Sequence, residues 1–200
     1  MKITVVGATG MVGTQVVAEA ARRDHEVTAV SRTGAVRGDA TDRERMVELF
    51  ADADVVVGAT RPAPGQEHTV VETITALLDA AAATGTRILV VGGSGPLRTP
   101  GEPGRLVRDN PEFVPARWRG FAAASCAQFS VCQEHGADWT YLSPPAVLEP
   151  GDRTGGYRRG TDTLLVAPDG SSRISAADLA VAILDELETP SPHRHFTVAY

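Results

Sequence analysis

The sequence predicts an α/β fold, a doubly wound parallel sheet with helices on both faces. Three observations favour this class. Segments typical of strands and of helices alternate along most of the 200 residues. The strand segments are continuous apolar runs, as expected for strands that are covered on both sides. A glycine-rich turn joins the first strand to the first helix, and ligands of such sheets bind beyond the carboxyl ends of the strands.

Each predicted element has its own local pattern. Short apolar and β-branched runs beside turn residues predict strands at residues 2–6, 25–30, 35–37, 54–57, 87–91, 138–142 and 195–199. Apolar residues at helical spacing predict helices at residues 11–23, 42–50, 66–84, 116–135 and 176–187. We expect Thr41 or Asp42 to cap the second helix. Ser175 with Asp178 resembles a capping box at the start of the last helix.

Two stretches depart from this alternation. Residues 92–115 are rich in glycine and proline and predict a long loop, which is either a substrate lid, a partner surface or a disordered excursion. Residues 150–170 are polar and glycine-rich, with strand-like segments at 156–158 and 163–166. The sequence therefore predicts a single domain over residues 1–200, within which residues 143–175 form a small C-terminal extension on the substrate side.

Composition narrows the classes of partner. The net charge of −6 argues against nucleic acid or an anionic membrane surface. No apolar run approaches the roughly 20 residues of a spanning helix, and the N-terminus lacks the pattern of a signal peptide. These observations predict a cytoplasmic protein that acts on a small molecule. Cys126 and Cys132 are too few for a zinc site, so we expect buried thiols and no metal.

The first strand is followed by a phosphate-binding pattern, G-x-x-G-x-x-G. It consists of Gly7, Ala8, Thr9, Gly10, Met11, Val12 and Gly13. Gly7 permits a tight turn, Gly10 lets the backbone approach a pyrophosphate, and Gly13 lets the helix pack closely on the strand. Free N–H groups at the start of the helix then bind the anion. Because the motif lies between a strand and a helix, it predicts a dinucleotide site.

The end of the second strand bears on which dinucleotide is bound. An acidic residue about 20 residues after the glycines usually binds the ribose of NAD. Here the strand ends in Ser31 and Arg32, and no acid stands there. A guanidinium and a hydroxyl bind a 2′-phosphate, so the sequence favours NADP(H) over NAD(H). Asp39 either accepts a hydrogen bond from the adenine amino group or only caps a turn.

These motifs resemble those of the atypical short-chain dehydrogenases/reductases, a family with the Rossmann fold. The resemblance extends to residues 58–62, 138–145, 155–158 and 173–180. Within that family the chain resembles the small NAD(P)H-binding NmrA-like and epimerase/dehydratase-like proteins. It is similar in plan to biliverdin reductase B, a flavin reductase.

The resemblance implies a role for each matching position. Residues 7–12 would hold the pyrophosphate, and Ser31 and Arg32 the 2′-phosphate. Asp39 and Ala40 would flank the adenine. The remaining positions line the ribose and nicotinamide, and they are Ala59, Thr60, Arg61, Ser143, Pro144 and Pro145.

The catalytic pair of the wider short-chain family is missing. That family uses a tyrosine with a lysine four residues on, and Lys2 is the only lysine of this chain. Phe121 and Ser125 have the spacing of the pair without its chemistry. Ser94 matches the place of the family's serine and either orients an acceptor oxygen or only forms a turn. Tyr141, near a strand end, either supplies a phenol or belongs to the core.

Two functional classes remain. The first is an NADPH-dependent oxidoreductase that transfers hydride to a small conjugated acceptor, such as a flavin or quinone, without a Tyr-Lys pair. The second is a non-catalytic NADP(H) redox sensor. Epimerase or dehydratase chemistry is a subordinate version of the first class, and it too normally needs an acid–base pair. Phe113, Trp118 and Phe121 form either an apolar wall over the nicotinamide or part of the core. Four histidines are predicted on the surface, and they are His25, His135, His193 and His195. His68 approaches the nicotinamide or is simply solvated, and the oligomeric state stays open.

Overall fold

A computed structural model describes residues 1–200, and its elements follow the predicted alternation. The strands are β1 Lys2–Val6, β2 Glu26–Ser31, β3 Val36–Arg37, β4 Val55–Gly58, β5 Arg87–Val91, β6 Arg98–Thr99, β7 Glu102–Leu106, β8 Trp139–Ser143, β9 Val147–Glu149, β10 Arg158–Gly160, β11 Arg173–Ser175 and β12 His195–Ala199. The helices are α1 Met11–Arg22, α2 Arg43–Phe50, α3 Val70–Thr84, α4 Arg119–Glu134 and α5 Ala176–Glu188. Three 3₁₀ turns lie at Glu67–Thr69, Val107–Asp109 and Ala116–Trp118.

Eight strands form the main sheet in the order β3-β2-β1-β4-β5-β8-β12-β10. All neighbours in it are parallel except β10, which runs antiparallel to β12. The chain winds outward from β1 in one direction to β3 and from β4 in the other. The predicted Rossmann-like α/β class is confirmed, and the topological switch point lies between β1 and β4.

The two faces of the sheet carry separate apolar cores. One core joins the sheet to α1 and α5, through residues such as Val5, Val16 and Ile183. The other joins it to α2, α3 and α4, and Val6 belongs to that one. Adjacent strand residues point to opposite faces, so an apolar run such as that of β1 is required to fill both cores. Cys126 and Cys132 are free, buried thiols on α4, as predicted.

The Gly/Pro-rich segment is folded, so its interpretation as a disordered excursion is wrong, whereas its roles as a substrate lid or a partner surface stay predictions. β6 and β7 form an antiparallel hairpin, and a 3₁₀ turn follows it. Leu97, Val107 and Val114 of this segment form a small core with Ala122 and Leu164. The prediction of a strand at 163–166 is also wrong. Leu164 packs in this small core, and Thr163 makes only an isolated bridge to Arg98.

The C-terminal segment is fixed by a buried carboxylate. β9 and β11 pair with each other outside the main sheet. Ser175 caps α5, since its hydroxyl accepts the Asp178 N–H at 2.9 Å. The predicted reciprocal bond of a capping box does not form. The Asp178 carboxylate instead accepts from the Thr154 and Gly155 N–H groups at 2.9 and 2.7 Å, and also from the Thr154 and Tyr200 hydroxyls.

No helix of the chain has the length and apolar character needed to cross a membrane. The cytoplasmic location stays a prediction.

Candidate functional site

The glycine-rich turn lies at the switch point of the sheet. Val6 pairs with Gly58, so Gly7 and Ala59 leave neighbouring strands side by side. The Ala59 N–H donates to the Val6 carbonyl at 2.9 Å. The N–H groups of Gly7 and Ala8 both donate to the Val30 carbonyl of β2, at 3.0 and 3.1 Å. The turn is thereby held from both neighbouring strands, at the crevice where ligands of such sheets bind.

Two of the three motif glycines are required by the packing of the protein itself. Gly7 has φ +87°, and a β-carbon there would lie 2.5 Å from the Ala59 carbonyl oxygen. A β-carbon on Gly13 would overlap the Gly7 carbonyl. Gly10 differs, because a β-carbon there would meet only the Gly7 oxygen at 3.2 Å and the Ala59 oxygen at 4.0 Å. Gly10 therefore keeps a space clear that the protein itself does not fill.

The start of α1 offers free donors to that space. The Thr14 N–H donates to the Gly10 carbonyl at 2.9 Å, and it is the first N–H of the helix with an acceptor in the protein. The N–H groups of Met11, Val12 and Gly13 have none, and no side chain caps the helix at Gly10. Because these donors and the positive end of the helix dipole suit a phosphate, the residues fit a dinucleotide.

An exposed arginine without an ion-pair partner follows β2. Arg32 is exposed and lies within ion-pair distance of no carboxylate. Ser31 is buried, and its hydroxyl oxygen accepts the Gly34 N–H at 2.8 Å. The structure thus turns Ser31 toward its own loop while Arg32 points outward. Arg37 of β3 is the strand partner of Ser31 of β2. It is a second exposed arginine at this edge, and the sequence analysis missed it.

Asp39 forms the turn that was one of its two predicted roles. Its Oδ1 atom accepts from the Thr41 N–H at 3.0 Å and from the Thr41 hydroxyl at 2.8 Å. These hydrogen bonds lower the pKa of Asp39, and the guanidinium of Arg32 lowers it further. Asp42 is the residue that caps α2, by accepting the Arg45 N–H at 3.0 Å. The adenine contact of Asp39 and Ala40 stays a prediction.

Tyr141 does not reach the site, and its prediction as a catalytic phenol is corrected. The side chain is fully buried, and its hydroxyl donates to the Ser125 carbonyl and to Gln128 Oε1, each at 3.0 Å. Burial raises the pKa of Tyr141 well above its usual value. The ring fills the space that a β-carbon on Gly92 would need. The Tyr141 side chain therefore packs against Gly92, in the turn that carries Ser94.

Ser94 lies in the turn after β5, beside the start of α4. A β-carbon on Gly95 would collide with the Ala122 carbonyl and the Ser125 hydroxyl, so the turn packs directly on the helix. Ser94 is half-buried, and its hydroxyl has no hydrogen-bond partner in the chain. Ser125 is not available as a catalytic hydroxyl, because it donates to the Ala122 carbonyl at 2.8 Å.

Arg61 joins the end of β4 to the aromatic residues at the start of α4. Its guanidinium carbon lies 4.5 Å from the centre of the Phe121 ring and 5.4 Å from that of Trp118. The two ring centres are 5.6 Å apart. Trp118 is 43% exposed, so it forms a wall rather than core, whereas Phe113 packs on the small core around Leu97. Thr60, beside Arg61, is half-buried.

The end of β8 contains a contact that the sequence did not predict. Ser143, Pro144 and Pro145 are all buried. The Ser143 hydroxyl and His195 Nε2 are 2.9 Å apart, and the His195 ring packs on Phe129 with ring centres 4.3 Å apart. The prediction of a surface His195 is wrong. Burial lowers its pKa to about 4, against a small opposing effect of Asp162.

The other four histidines differ in exposure. His193 and His68 are exposed, and His68 lies in the turn before α3. His25 and His135 are half-buried beside carboxylates, at 2.8 Å from Glu188 and 3.2 Å from Asp79 respectively.

Comparison with known proteins agrees with this geometry. The profile of a family described as NAD(P)H-binding matches residues 7–190. The Bacillus subtilis protein named "Uncharacterized protein YwnB" is 41% identical over 209 aligned residues, which cover 99% of this chain and 98% of that protein.

Similar solved structures carry several different names. A "putative exported protein" from Burkholderia pseudomallei has 39% identity and a TM-score of 0.89, and the match covers 100% of both chains. A "putative epimerase" from Bacteroides thetaiotaomicron has 33% identity and a TM-score of 0.90, over 100% of this chain and 96% of that one. A "putative NADH-flavin reductase" from Streptococcus pneumoniae has 28% identity and a TM-score of 0.89, over 100% and 99%.

Proposed function

Because this chain belongs to the NAD(P)H-binding family, we propose that it is an NADPH-dependent oxidoreductase that reduces a small, flat, conjugated acceptor such as a flavin or a quinone. One observation carries this proposal. The positions beside the nucleotide cradle present an exposed aromatic wall and no side chain suited to general acid catalysis. Phe121 has the place in the sequence pattern at which the short-chain family has its acid, and the centre of the exposed Trp118 ring lies 5.6 Å from that of Phe121.

The side chains of Tyr141 and Ser125, two candidate proton donors near the site, are engaged in other hydrogen bonds, which supports an acceptor that needs no acid from the protein. The phenol of Tyr141 is buried and bonded, and Ser125 donates inside its own helix. Reduced nicotinamide supplies a hydride when it is bound. Conjugated rings accept a hydride readily and take their proton from solvent, whereas epimerase and dehydratase chemistry needs an acid–base pair. In this proposal Ser94, whose hydroxyl is free, orients an acceptor oxygen.

Residues at four places would hold the nucleotide. The free N–H groups of residues 11–13 bind the pyrophosphate, and the clear space at Gly10 admits it. Arg32 binds the 2′-phosphate, which makes NADP(H) the preferred form. The half-buried Thr60 and the buried Ser143, Pro144 and Pro145 flank the ribose and nicotinamide. The turn at Asp39 and Ala40 flanks the adenine.

A time course of NADPH fluorescence tests the proposal. The purified protein is mixed with NADPH, and then with FMN, riboflavin or menadione. We expect a binding signal first, followed by loss of NADPH that depends on enzyme and acceptor concentrations. A stable binding signal with no turnover on any acceptor would contradict the reductase and favour the redox sensor, which needs the same nucleotide cradle and no acid. No binding signal would contradict both.

A further inference from the structure

Four residues form a cationic, aromatic surface at the mouth of the site. We call Arg61, Arg117, Trp118 and Phe121 the Arg61 patch. The Arg61 guanidinium lies over both rings, and the Arg117 guanidinium carbon is 5.9 Å from the centre of the Trp118 ring. Arg61, Arg117 and Trp118 are exposed, and Phe121 is half-buried. The patch therefore offers flat apolar surface and positive charge together.

The two arginines of the patch lack a compensating carboxylate. In the neighbouring segment, Arg98, Arg105 and Arg108 each pair with an acid, which are Asp162, Glu102 and Asp109 respectively. Arg61 and Arg117 have no carboxylate within 4.0 Å, in a chain whose net charge is −6. Uncompensated guanidinium groups on exposed rings suit a ligand that is both planar and anionic.

Glu67 is an acidic residue at the border of this surface. Its carboxyl carbon would lie 3.6 Å from a β-carbon on Gly120. The carboxylate is directed to the backbone, because its Oε1 atom accepts the Gly65 N–H at 3.1 Å. Glu67 therefore borders the patch without forming an ion pair with either of its arginines.

The patch lies between the nucleotide cradle and the free hydroxyl of Ser94. Arg61 follows Ala59, whose carbonyl oxygen packs on Gly7. Phe121 precedes Ala122, whose carbonyl packs on Gly95, beside Ser94. β4 and β5 are adjacent strands, so the turns that carry Arg61 and Ser94 leave the sheet side by side. A ring lying on the patch would be adjacent to both.

We propose that the Arg61 patch is the acceptor site and that the acceptor is a planar aromatic molecule with an anionic side group such as a phosphate. The inference rests on the proposed reductase function and narrows its substrate class. Trp118 and Phe121 stack on the ring of the acceptor. Arg61 and Arg117 bind its anionic group and discriminate against neutral acceptors of the same ring system.

Binding of FMN and riboflavin in the absence of nucleotide tests this inference. The two molecules share one ring system and differ in a phosphate, and their own fluorescence reports binding in every variant. We expect FMN to bind at least about tenfold more tightly than riboflavin, as for a charge-assisted contact. Arg61→Gln and Arg117→Gln should each reduce that ratio several-fold, and high salt should reduce it too. Trp118→Leu should weaken both flavins and leave the ratio unchanged.

Arg194 supplies a matched control. It is an exposed arginine whose guanidinium carbon lies 5.1 Å from the centre of the Trp139 ring, at the amino ends of β8 and β12, whereas Arg61 follows the carboxyl end of β4. Arg194→Gln should leave both affinities unchanged. Equal affinities of the wild-type protein for FMN and riboflavin would overturn the inference. So would a ratio that Arg61→Gln and Arg117→Gln leave as it is.

The reductase assay separates this inference from the proposed function. NADPH-dependent turnover of both FMN and riboflavin, together with equal binding affinities for the two, would overturn the inference and leave the proposed reductase function intact. Selective FMN binding that depends on Arg61 and Arg117, without NADPH loss on any acceptor, would support the anionic site and contradict the reductase.

Discussion

The carbonyl oxygen of Gly7 occupies the space that a β-carbon on Gly13 would need. This contact draws α1 against the end of β1 and aims the first turn of the helix at the crevice beside Ala59. Gly10, in the same motif, is less confined, because a β-carbon there would meet the Gly7 oxygen at 3.2 Å without overlap, and its backbone at φ −76° and ψ 168° is ordinary for any residue. The three motif glycines therefore fall into two kinds, two that the fold requires and one at which the fold leaves space.

This division predicts opposite effects at Gly10 and Gly13. Gly10→Val should keep the melting temperature near that of the wild type and weaken NADPH binding more than about tenfold, because the side chain fills the space for a phosphate. Gly13→Ala should cost about 1–3 kcal/mol of stability through overpacking, which lowers the melting temperature by several degrees. Thermal melts and NADPH titrations of both variants check this. Wild-type NADPH affinity in Gly10→Val would contradict the cradle.

The free guanidinium of Arg32 predicts a cofactor preference. We expect the wild-type protein to bind NADPH at least about tenfold more tightly than NADH, a difference of roughly 1.4 kcal/mol. Arg32→Glu should abolish or invert that preference, because a carboxylate repels a 2′-phosphate and accepts from a 2′-hydroxyl. Titrations of both nucleotides measure it. Arg173→Glu makes the same charge change at an exposed position in β11 and should have no effect.

If Arg32→Glu still favours NADPH, the 2′-phosphate contact lies elsewhere. Arg37, which pairs with Ser31, is then the next position to change.

Local sequence patterns were enough to predict most of the fold. β12 was predicted at the residues where it occurs, because its apolar run is set off by prolines at 190 and 192. The β6–β7 hairpin was missed because Glu102–Leu106 is exposed and has neither an apolar run nor alternation. Its strands pair across a register shift, which a local pattern does not reveal.

The site divides in the same way between local and distant relationships. The glycine motif was predictable because its chemistry lies within seven consecutive residues. The contact of Ser143 with His195 joins residues 52 apart, and it exists only because β8 and β12 are adjacent and in one register. Tyr141 was ambiguous because a strand covered on both sides gives no pattern that tells which face a residue occupies. The contact between Arg61 and Trp118 could not be predicted, because it depends on where α4 packs, and sequence spacing does not reveal that.

The burial of Tyr141 predicts a structural effect rather than a catalytic one. Tyr141→Phe removes the donor to the Ser125 carbonyl and Gln128, so it should cost about 1–2 kcal/mol of stability. Turnover at saturating NADPH, assayed well below the melting temperature, should stay within about twofold of the wild type. A large loss of turnover with an unchanged melting temperature would instead make Tyr141 the proton donor.

His195 predicts how stability depends on pH. Its pKa is about 4 in the folded protein, below its usual value of 6.5. Below pH 6.5 the unfolded chain therefore binds a proton that the folded protein excludes. Stability should be highest above that pH and should fall as the pH drops toward 4, by roughly 2–3 kcal/mol over the window. Urea unfolding between pH 7 and pH 4.5 measures this slope.

Glu19 also makes stability depend on pH, but in a lower pH range than His195 does. Hydrogen bonds from Arg153 and Arg23 lower the pKa of the buried Glu19 from 4.5 to about 2, so its contribution is lost only as the pH falls below 4.5. His195→Gln keeps a side chain able to bond with Ser143 but cannot titrate, so it should flatten the slope between pH 6.5 and 4.5. His193→Gln, at an exposed position, should retain the wild-type slope. Equal slopes in His195→Gln and the wild type would contradict this assignment and show that another group excludes the proton.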